Sequence, residues 1–149
     1  MPANIHATCI RIGRAGVLLL GRSGAGKSDL ALRLIGRGAV LVSDDRCDLC
    51  VKRGKLVATA PRPIAGLLEV RGLGIVKLPR AAGAAIALAV DLSASVERLP
   101  QRRTYEPPKA LGLPRAAWPR LLALNAFEAS APDKVLLAVG ALRGAVKRN

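Results

Sequence analysis

Short apolar runs alternate along the chain with polar or glycine-containing breaks. The first two apolar runs, 5–12 and 17–20, are separated by the glycine-containing segment 13–16. This pattern predicts two strands joined by a four-residue turn, which form a β-hairpin. Pairing across that turn places His6, the only histidine of the chain, opposite Ser23 and therefore beside the segment that follows the second strand.

The next pattern changes from strand to helix and back to strand. Residues 27–35 have helix-forming composition with spaced apolar side chains, and Gly36 follows as a stop signal, so a helix is predicted. The apolar run 39–42 predicts a strand that ends at Asp44 and Asp45. Strand, glycine-rich loop, helix and strand in this order indicate an α/β fold.

The middle of the chain predicts further strands. A second hairpin is expected around Arg53-Gly54, and residues 84–91 predict another strand. Residues 67–76 mix apolar side chains with two glycines. Within them, Glu69 and Arg71 resemble a buried ion pair, which on the residues alone is an ordinary structural feature.

The C-terminal third is predicted to be irregular and then helical. The proline-rich segment 98–119 indicates a loop with short helical turns. Residues 130–133 resemble a capping box that opens a terminal helix. We see no repeat and no linker, so a single domain over 1–149 is expected. The predicted buried face of the helix comprises Val135, Leu136, Val139, Leu142 and Val146.

Composition restricts the classes of partner. With 51% hydrophobic residues among 149, the chain is long and apolar enough to form its own core. No apolar run approaches the roughly 20 residues of a membrane span, and no leader is visible, so we expect a cytoplasmic protein. The net charge of +14 favours acidic partners. Aromatic residues make up only 2%, so we do not expect nucleic-acid binding by base stacking.

The cysteines suggest free thiols with one alternative. Cys9, Cys47 and Cys50 are an odd number without secretory context. Together with His6 they would supply a Cys₃His zinc set. Residues three apart on a strand point to opposite faces, however, which argues against that set.

Residues 21–28 carry the strongest chemical signal. They read GRSGAGKS and follow directly after the apolar run 17–20, as the P-loop pattern G-x-x-x-x-G-K-S requires. In such a loop the backbone N–H groups surround a polyphosphate, the lysine reaches its outer phosphates and the following hydroxyl holds Mg²⁺. The predicted nucleotide-binding residues are Gly21, Arg22, Ser23, Gly24, Ala25, Gly26, Lys27 and Ser28.

Asp44 and Asp45 are expected at the same place as the P-loop. If the strand–helix–strand crossover is right-handed, both strands end on the same edge and the carboxylates reach the phosphates. One acid can then help to hold Mg²⁺, while the other accepts a proton from an attacking hydroxyl. Because an alcohol acceptor needs such a base, the pair favours a kinase over a simple ATPase.

With these residues in view, the chain resembles the C-terminal catalytic domain of bacterial HPr kinase/phosphorylase. The matching segments are 5–6, 16–28, 42–45 and 67–76, in the order and near the spacing of the family. The resemblance implies a P-loop-containing HPr kinase C-terminal domain fold, related to PEP carboxykinase. It also implies ATP- and Mg²⁺-dependent phosphorylation of a serine on HPr, the phosphocarrier of the bacterial phosphotransferase system that regulates carbon and nitrogen metabolism.

The resemblance also assigns roles to residues. It makes Asp45 the proton acceptor and Ser28 and Glu69 the Mg²⁺ contacts, to which the residue pattern adds Asp44. It makes residues 68–77 a segment required for catalysis. The other active-site residues that it implies are His6, Lys27 and Arg98.

The sequence differs from the family pattern at several places, and these differences restrict the predicted activity. We expect a short form without the regulatory N-terminal domain, and Ala7 follows His6 where the family commonly has glycine. The arginine- and glycine-rich loop tied to dephosphorylation is not visible, and residues 123–128 stand near its place. Kinase activity is therefore better supported than phosphorylase activity. Members of full length are hexameric, so a homo-oligomer stays open.

The sequence leaves three alternative functions open. The same loop and acids would serve a small-molecule kinase acting on a metabolite alcohol. A non-catalytic ATP-sensing module would bind nucleotide without transfer, although the intact acids Asp44, Asp45 and Glu69 argue against it. A nucleic-acid-dependent ATPase would show stimulation by DNA or RNA and a steep salt dependence of binding.

Overall fold

The computed structural model describes residues 2–144, which form eleven strands, two α-helices and three 3₁₀ turns. No helix in this part of the chain is both long and apolar enough to cross a bilayer. The helices are α1 (Lys27–Ile35) and α2 (Ala131–Leu142). The strands are β1 (Ala3–His6), β2 (Thr8–Ile12), β3 (Ala15–Leu20), β4 (Val40–Ser43), β5 (Arg46–Lys52), β6 (Lys55–Thr59), β7 (Leu67–Val70), β8 (Gly74–Lys77), β9 (Ala84–Asp91), β10 (Arg103–Thr104) and β11 (Arg120–Ala123).

The main sheet brings several strand ends to one edge. Its strand order is β1-β5-β6-β9-β3-β2-β4, with β11 also paired to β9 and β10 to β11. Strand β2 lies between β3 and β4 and is antiparallel to both, so β3 and β4 run in the same direction. Strands β9 and β11 are parallel to β3. The carboxyl ends of these four strands therefore meet where open α/β sheets bind ligands.

Two cores cover the two faces of this sheet. On β3, Val17 and Leu19 enter a core that includes both helices, whereas Leu18 points into a second core with β1, β5 and β6. All three side chains are fully buried. This double burial explains why the strand is a continuous apolar run without alternation.

Several predicted elements are confirmed. Helix 27–35 and strand 84–91 begin and end where the sequence pattern places them. The run 39–42 forms β4, shifted by one residue. The second hairpin turns at Arg53 and Gly54, both at positive φ (51° and 74°), as a two-residue type I′ turn requires.

The register of the first hairpin was predicted wrongly. Its turn has two residues, because Ile12 pairs with Ala15 and the strand continues through Gly16. A Cβ at Gly16 would lie 2.8 Å from the Ala85 carbonyl oxygen, so this glycine serves a close strand contact and not a turn. The run 5–12 is also split into two strands, and His6 pairs with Arg46 instead of facing Ser23.

The C-terminal third combines confirmed and corrected predictions. Segment 98–119 contains the expected short helical turns at 109–111 and 115–117, but β10 and the following strand β11 were not predicted. Helix α2 begins after Ser130, whose side chain makes no capping hydrogen bond within the described residues. Of the predicted buried face, Val135 and Val139 are buried, Leu136 is half-buried, Leu142 is exposed, and Val146 lies outside the described residues.

Candidate functional site

The glycine-rich loop lies between β3 and α1. Gly26 is the N-cap of α1 at φ 95°, and Gly24 has φ 85°, a region that side chains other than glycine rarely adopt. A Cβ at Gly26 would lie 2.9 Å from Ala126 Cβ, whereas no described atom lies within 4 Å of a Cβ at Gly24. The loop is thus packed on one side and open on the other. The free N–H groups at the start of α1 favour an anion there.

Lys27 is held against the loop that precedes it. The residue is only 6% exposed, and its Nζ donates hydrogen bonds to the Gly21 and Arg22 carbonyl oxygens at 2.7 and 3.0 Å. These bonds keep a buried ammonium group at the loop, where a phosphate would meet it.

Asp44 is a buried carboxylate that joins three elements. It directly follows β4 and is 7% exposed. Its Oδ1 accepts hydrogen bonds from Ser28 Oγ at 2.6 Å and Thr8 Oγ1 at 2.9 Å. Its Oδ2 accepts one from the backbone N–H of Glu69 at 3.1 Å. The carboxylate therefore fixes the start of α1, strand β2 and strand β7 relative to one another.

Asp45, the next residue, has the opposite environment. Its side chain is 67% exposed, and its Oδ1 lies 2.6 Å from His6 Nε2. The backbone of Asp45 has φ 67°, which is uncommon for a residue other than glycine and recurs at functional sites. Its N–H donates to Thr8 Oγ1 at 3.2 Å. The predicted pairing of acids at the loop is present, but one acid is buried and the other faces solvent.

Thr8 is a site residue that sequence reasoning missed. It is fully buried, and its hydroxyl donates to Asp44 and accepts from the Asp45 N–H. A signal existed, because a hydroxyl in the apolar strand run needs a hydrogen-bond partner when buried. Nothing in the sequence named that partner, since 36 residues separate Thr8 from Asp44.

Strands β7 and β8 form a separate antiparallel hairpin beside these acids. Leu68 and Val70 are buried, whereas Glu69 and Arg71 are exposed. The expectation of a buried Glu/Arg pair was therefore wrong, because alternation along β7 turns Glu69 away from the core. Both side chains instead line the cleft.

A cleft of about 540 Å³ unites these parts, within the size range of small-molecule sites. One wall, which we call the donor wall, comes from the loop and α1 and includes Lys27 and Ser28. The opposite side, the acceptor wall, comprises Asp45 and the hairpin residues Glu69, Val70 and Arg71. Asp29, Leu32 and Phe127 complete the lining together with Ser23, Gly24 and Gly26.

Arg98 lies outside this lining. It is exposed in the irregular segment 93–102 between β9 and β10. The segment starts near the loop, because Ser93 Oγ accepts a hydrogen bond from the Arg22 N–H at 2.9 Å. A catalytic role for Arg98 stays a prediction.

The cysteines do not assemble the alternative zinc set. Cys9 and Cys47 are buried in the second core, whereas Cys50 lies on the other face of β5, and His6 contacts Asp45. The hydrogen bond with Cys47, together with burial, raises the pKa of Cys9 well above its usual value. Over residues 2–144, no three His, Cys, Asp or Glu side chains are grouped to hold a metal ion.

The predicted Mg²⁺ ligands are too few to surround the ion with protein groups alone. Ser28 and Glu69 line the cleft, and Asp44 bonds the Ser28 hydroxyl from behind. Mg²⁺ in nucleotide sites takes one or two carboxylates and completes its shell with phosphates and water. The donor set present is compatible with that type of binding.

Comparisons with known proteins agree with the geometry. Residues 2–107 match the protein-family model described as HPr Serine kinase C-terminal domain. The chain is 37% identical over 109 residues to HPr kinase/phosphorylase of Clostridium tetani, covering 73% of this chain and 36% of that protein. It is 38% identical over 105 residues to the enzyme of the same name from Clostridium acetobutylicum, covering 68% and 34%. The chain thus spans about a third of the length of these relatives.

A solved structure confirms the predicted fold. The structure of the Hpr(Ser) kinase/phosphatase from Coxiella burnetii superposes with a TM-score of 0.77 at 22% identity, covering 95% of this chain and 90% of that one. With 95% of the chain covered, the likeness extends past residue 107, where the family model ends.

Proposed function

The chain belongs to the HPr serine kinase C-terminal domain family, and from this premise we propose that it is an ATP- and Mg²⁺-dependent kinase. Its acceptor would be a serine of an HPr-like phosphocarrier protein. The observation that carries the proposal is the cleft that brings Lys27, Ser28, Asp45 and Glu69 to one place. A loop for phosphates alone would explain nucleotide binding, but the exposed carboxylate opposite it supplies the base that an alcohol acceptor needs.

The donor wall would hold the triphosphate. The N–H groups of residues 21–28 and the start of α1 would face the phosphate oxygens, and the open side of Gly24 lets them approach the backbone. Lys27 would exchange its bonds to the loop carbonyls for bonds to the outer phosphates. Because Lys27 is buried, its positive charge stays close to the loop. There it would stabilise the negative charge that develops on the phosphate oxygens during transfer.

Mg²⁺ would be held by Ser28 and Glu69, and Asp44 would support both. When bound, the ion neutralises charge on the phosphate oxygens. The Ser28 hydroxyl donates a hydrogen bond to Asp44. Its oxygen lone pairs would then be available to a metal ion in the cleft. Asp44 also fixes the Glu69 backbone. Asp44 would thus act mainly by positioning the residues that contact the ion.

Asp45 would accept the proton of the acceptor hydroxyl. It faces the cleft and is not enclosed by protein, so a serine side chain can approach it. His6 Nε2 holds one carboxylate oxygen and would orient the other toward the acceptor. The Thr8 hydroxyl accepts a hydrogen bond from the Asp45 backbone and donates one to Asp44. This buried side chain would thus fix the position of the base relative to Asp44.

Incubation of the protein with ATP, Mg²⁺ and purified HPr tests the proposal. We expect a phosphoserine on HPr, detected by intact mass and by site mapping, and no transfer when Mg²⁺ is chelated. Phosphorylation of a small alcohol in the absence of HPr would instead indicate a small-molecule kinase. Tight nucleotide binding without transfer to any acceptor would contradict the kinase proposal and favour an ATP-sensing module.

A further inference from the structure

The β7–β8 hairpin exposes large apolar side chains beside the cleft. Leu73, at its tip, is 78% exposed, and Ile75 on β8 is 72% exposed. The other face of the hairpin already packs against the core through buried Leu68 and Val70 and through Val76. The two exposed side chains therefore contribute little to holding the hairpin on the domain, although each presents apolar surface to water.

This exposed pair adjoins the acceptor wall. Ile75 pairs directly with Glu69 across the hairpin, and Glu69 and Arg71 line the cleft together with Asp45. Directly paired residues of an antiparallel hairpin have neighbouring Cβ atoms on the same face. A macromolecule that presents a hydroxyl to Asp45 would therefore lie close to Ile75, and Leu73 is at the tip of the same hairpin.

The charge around the pair indicates the chemistry of the partner. Arg71 in the turn and Lys77 at the end of β8 are both exposed, and Lys77 lies on the same face of β8 as Ile75, two residues away. The chain as a whole carries a net charge of +14. A fitting partner has an apolar patch bordered by acidic groups, because the cations would otherwise be left without complementary charge.

We propose that Leu73 and Ile75 form the docking surface for the protein that carries the acceptor serine. The partner would place apolar side chains next to that serine against this pair and acidic groups near Arg71 and Lys77. The inference rests on the proposed kinase function and deepens it. Docking outside the reacting groups holds the hydroxyl in place without using the base or the metal ligands.

The test compares HPr phosphorylation by the wild type and by the double variant Leu73→Ser/Ile75→Ser. We expect the KM for HPr to rise by about tenfold or more, the usual size for loss of a central apolar contact. Affinity for ATP, measured by nucleotide titration, should change by less than about twofold, because neither side chain lines the cleft. Leu137→Ser on α2 is the matched control, since Leu137 is 57% exposed and lies outside the cleft lining.

Circular dichroism checks whether the double variant is folded. If the double variant does not fold, the single variant Leu73→Ser at the hairpin tip is used in its place. An unchanged KM for HPr in a folded variant would overturn the docking surface while leaving the kinase intact. Failure of the wild type to phosphorylate HPr would instead reject the proposed function and, with it, this inference. Loss of self-association in the variant, with an unchanged KM, would show that the pair binds a second copy and would also overturn the proposal.

Discussion

The two walls of the cleft differ in burial and in how they are held. On the donor wall, Lys27 is buried and bonded to its own loop, and Ser28 is bonded to the buried Asp44, whose two carboxylate oxygens both accept hydrogen bonds. On the acceptor wall, Asp45 is exposed and contacts His6, which is exposed as well and lies outside the cleft lining. In the proposed kinase, the first arrangement would fix the groups that meet the phosphates at every turnover. The second would leave room for a protein acceptor to approach.

Asp44 and Thr8 connect the two walls. Asp44 bonds Ser28 on one side and the Glu69 backbone on the other, and Thr8 bonds both aspartates. Because buried hydrogen bonds are costly to leave unmade, these contacts favour the observed arrangement of the two walls. The neighbours Asp44 and Asp45 thus have separate tasks in the proposed kinase despite their identical side chains.

The largest expected effect comes from removing the base of the acceptor wall. We expect Asp45→Asn to slow transfer to HPr by roughly 10² to 10⁴, the usual contribution of a general base, with ATP binding nearly unchanged. Single-turnover transfer and nucleotide titration measure the two quantities. Asp29→Asn is the control, because Asp29 is a carboxylate of the same cleft on the other wall. An unaltered rate in Asp45→Asn would mean that another group takes the proton.

The contrast between the walls also explains what the sequence could predict. The positions of the glycine-rich loop and of helix α1 were predicted correctly, because residues 21–36, which are consecutive, carry the signal for both. The acceptor wall depends on contacts between distant segments, such as His6 with Asp45 and Asp44 with the backbone of Glu69. Residue types identified the acids, but only the fold determined that one is buried and the other exposed.

The errors in the predicted secondary structure also come from contacts between distant segments. The first hairpin was given a four-residue turn because Gly16 reads as a turn residue, whereas its missing Cβ serves contact with β9. Strand β11 was missed because its pairing partner β9 lies 29 residues away along the chain, measured from Arg120 to the end of β9 at Asp91. Local pattern cannot report a strand that is defined by such pairing.

Substitution of the loop glycines tests how closely the donor wall is packed. In Gly24→Ala the positive φ alone should cost about 1–3 kcal/mol of unfolding free energy. Gly26→Ala should cost about 1–3 kcal/mol more, because its Cβ would lie 2.9 Å from Ala126 Cβ. Urea unfolding of both variants measures the difference. Equal losses would show that the Ala126 side of the loop yields easily.

Thr8 tests the connection between the walls. Thr8→Val keeps the shape but removes the hydroxyl, which leaves the Asp45 N–H without its partner. We expect about 1–3 kcal/mol lower unfolding free energy and transfer slowed about tenfold with little change in the KM for ATP. Thr8→Ser should restore both. A purely structural role predicts that Thr8→Val loses stability but retains its turnover once folded.

The smallest expected effect concerns the two buried thiols of the second core, on the face of the sheet opposite helix α1. The hydrogen bond with Cys47 and burial raise the pKa of Cys9, so the folded protein keeps this proton at a pH where the unfolded chain releases it. Stability should therefore fall as the pH rises above about 9, by up to about 1.4 kcal/mol per unit, and Cys9→Ser should flatten the slope.

Thiol labelling separates this effect from other titrations, including that of Tyr105, whose pKa burial also raises. With a water-soluble disulfide reagent, the half-buried Cys50 should react in the folded protein, whereas Cys9 and Cys47 should react only at the rate of unfolding. Phenolate absorbance reports Tyr105 independently. Rapid native labelling of Cys9 would show that the second core opens readily, and strand β2 would then not hold Thr8 firmly between the two aspartates.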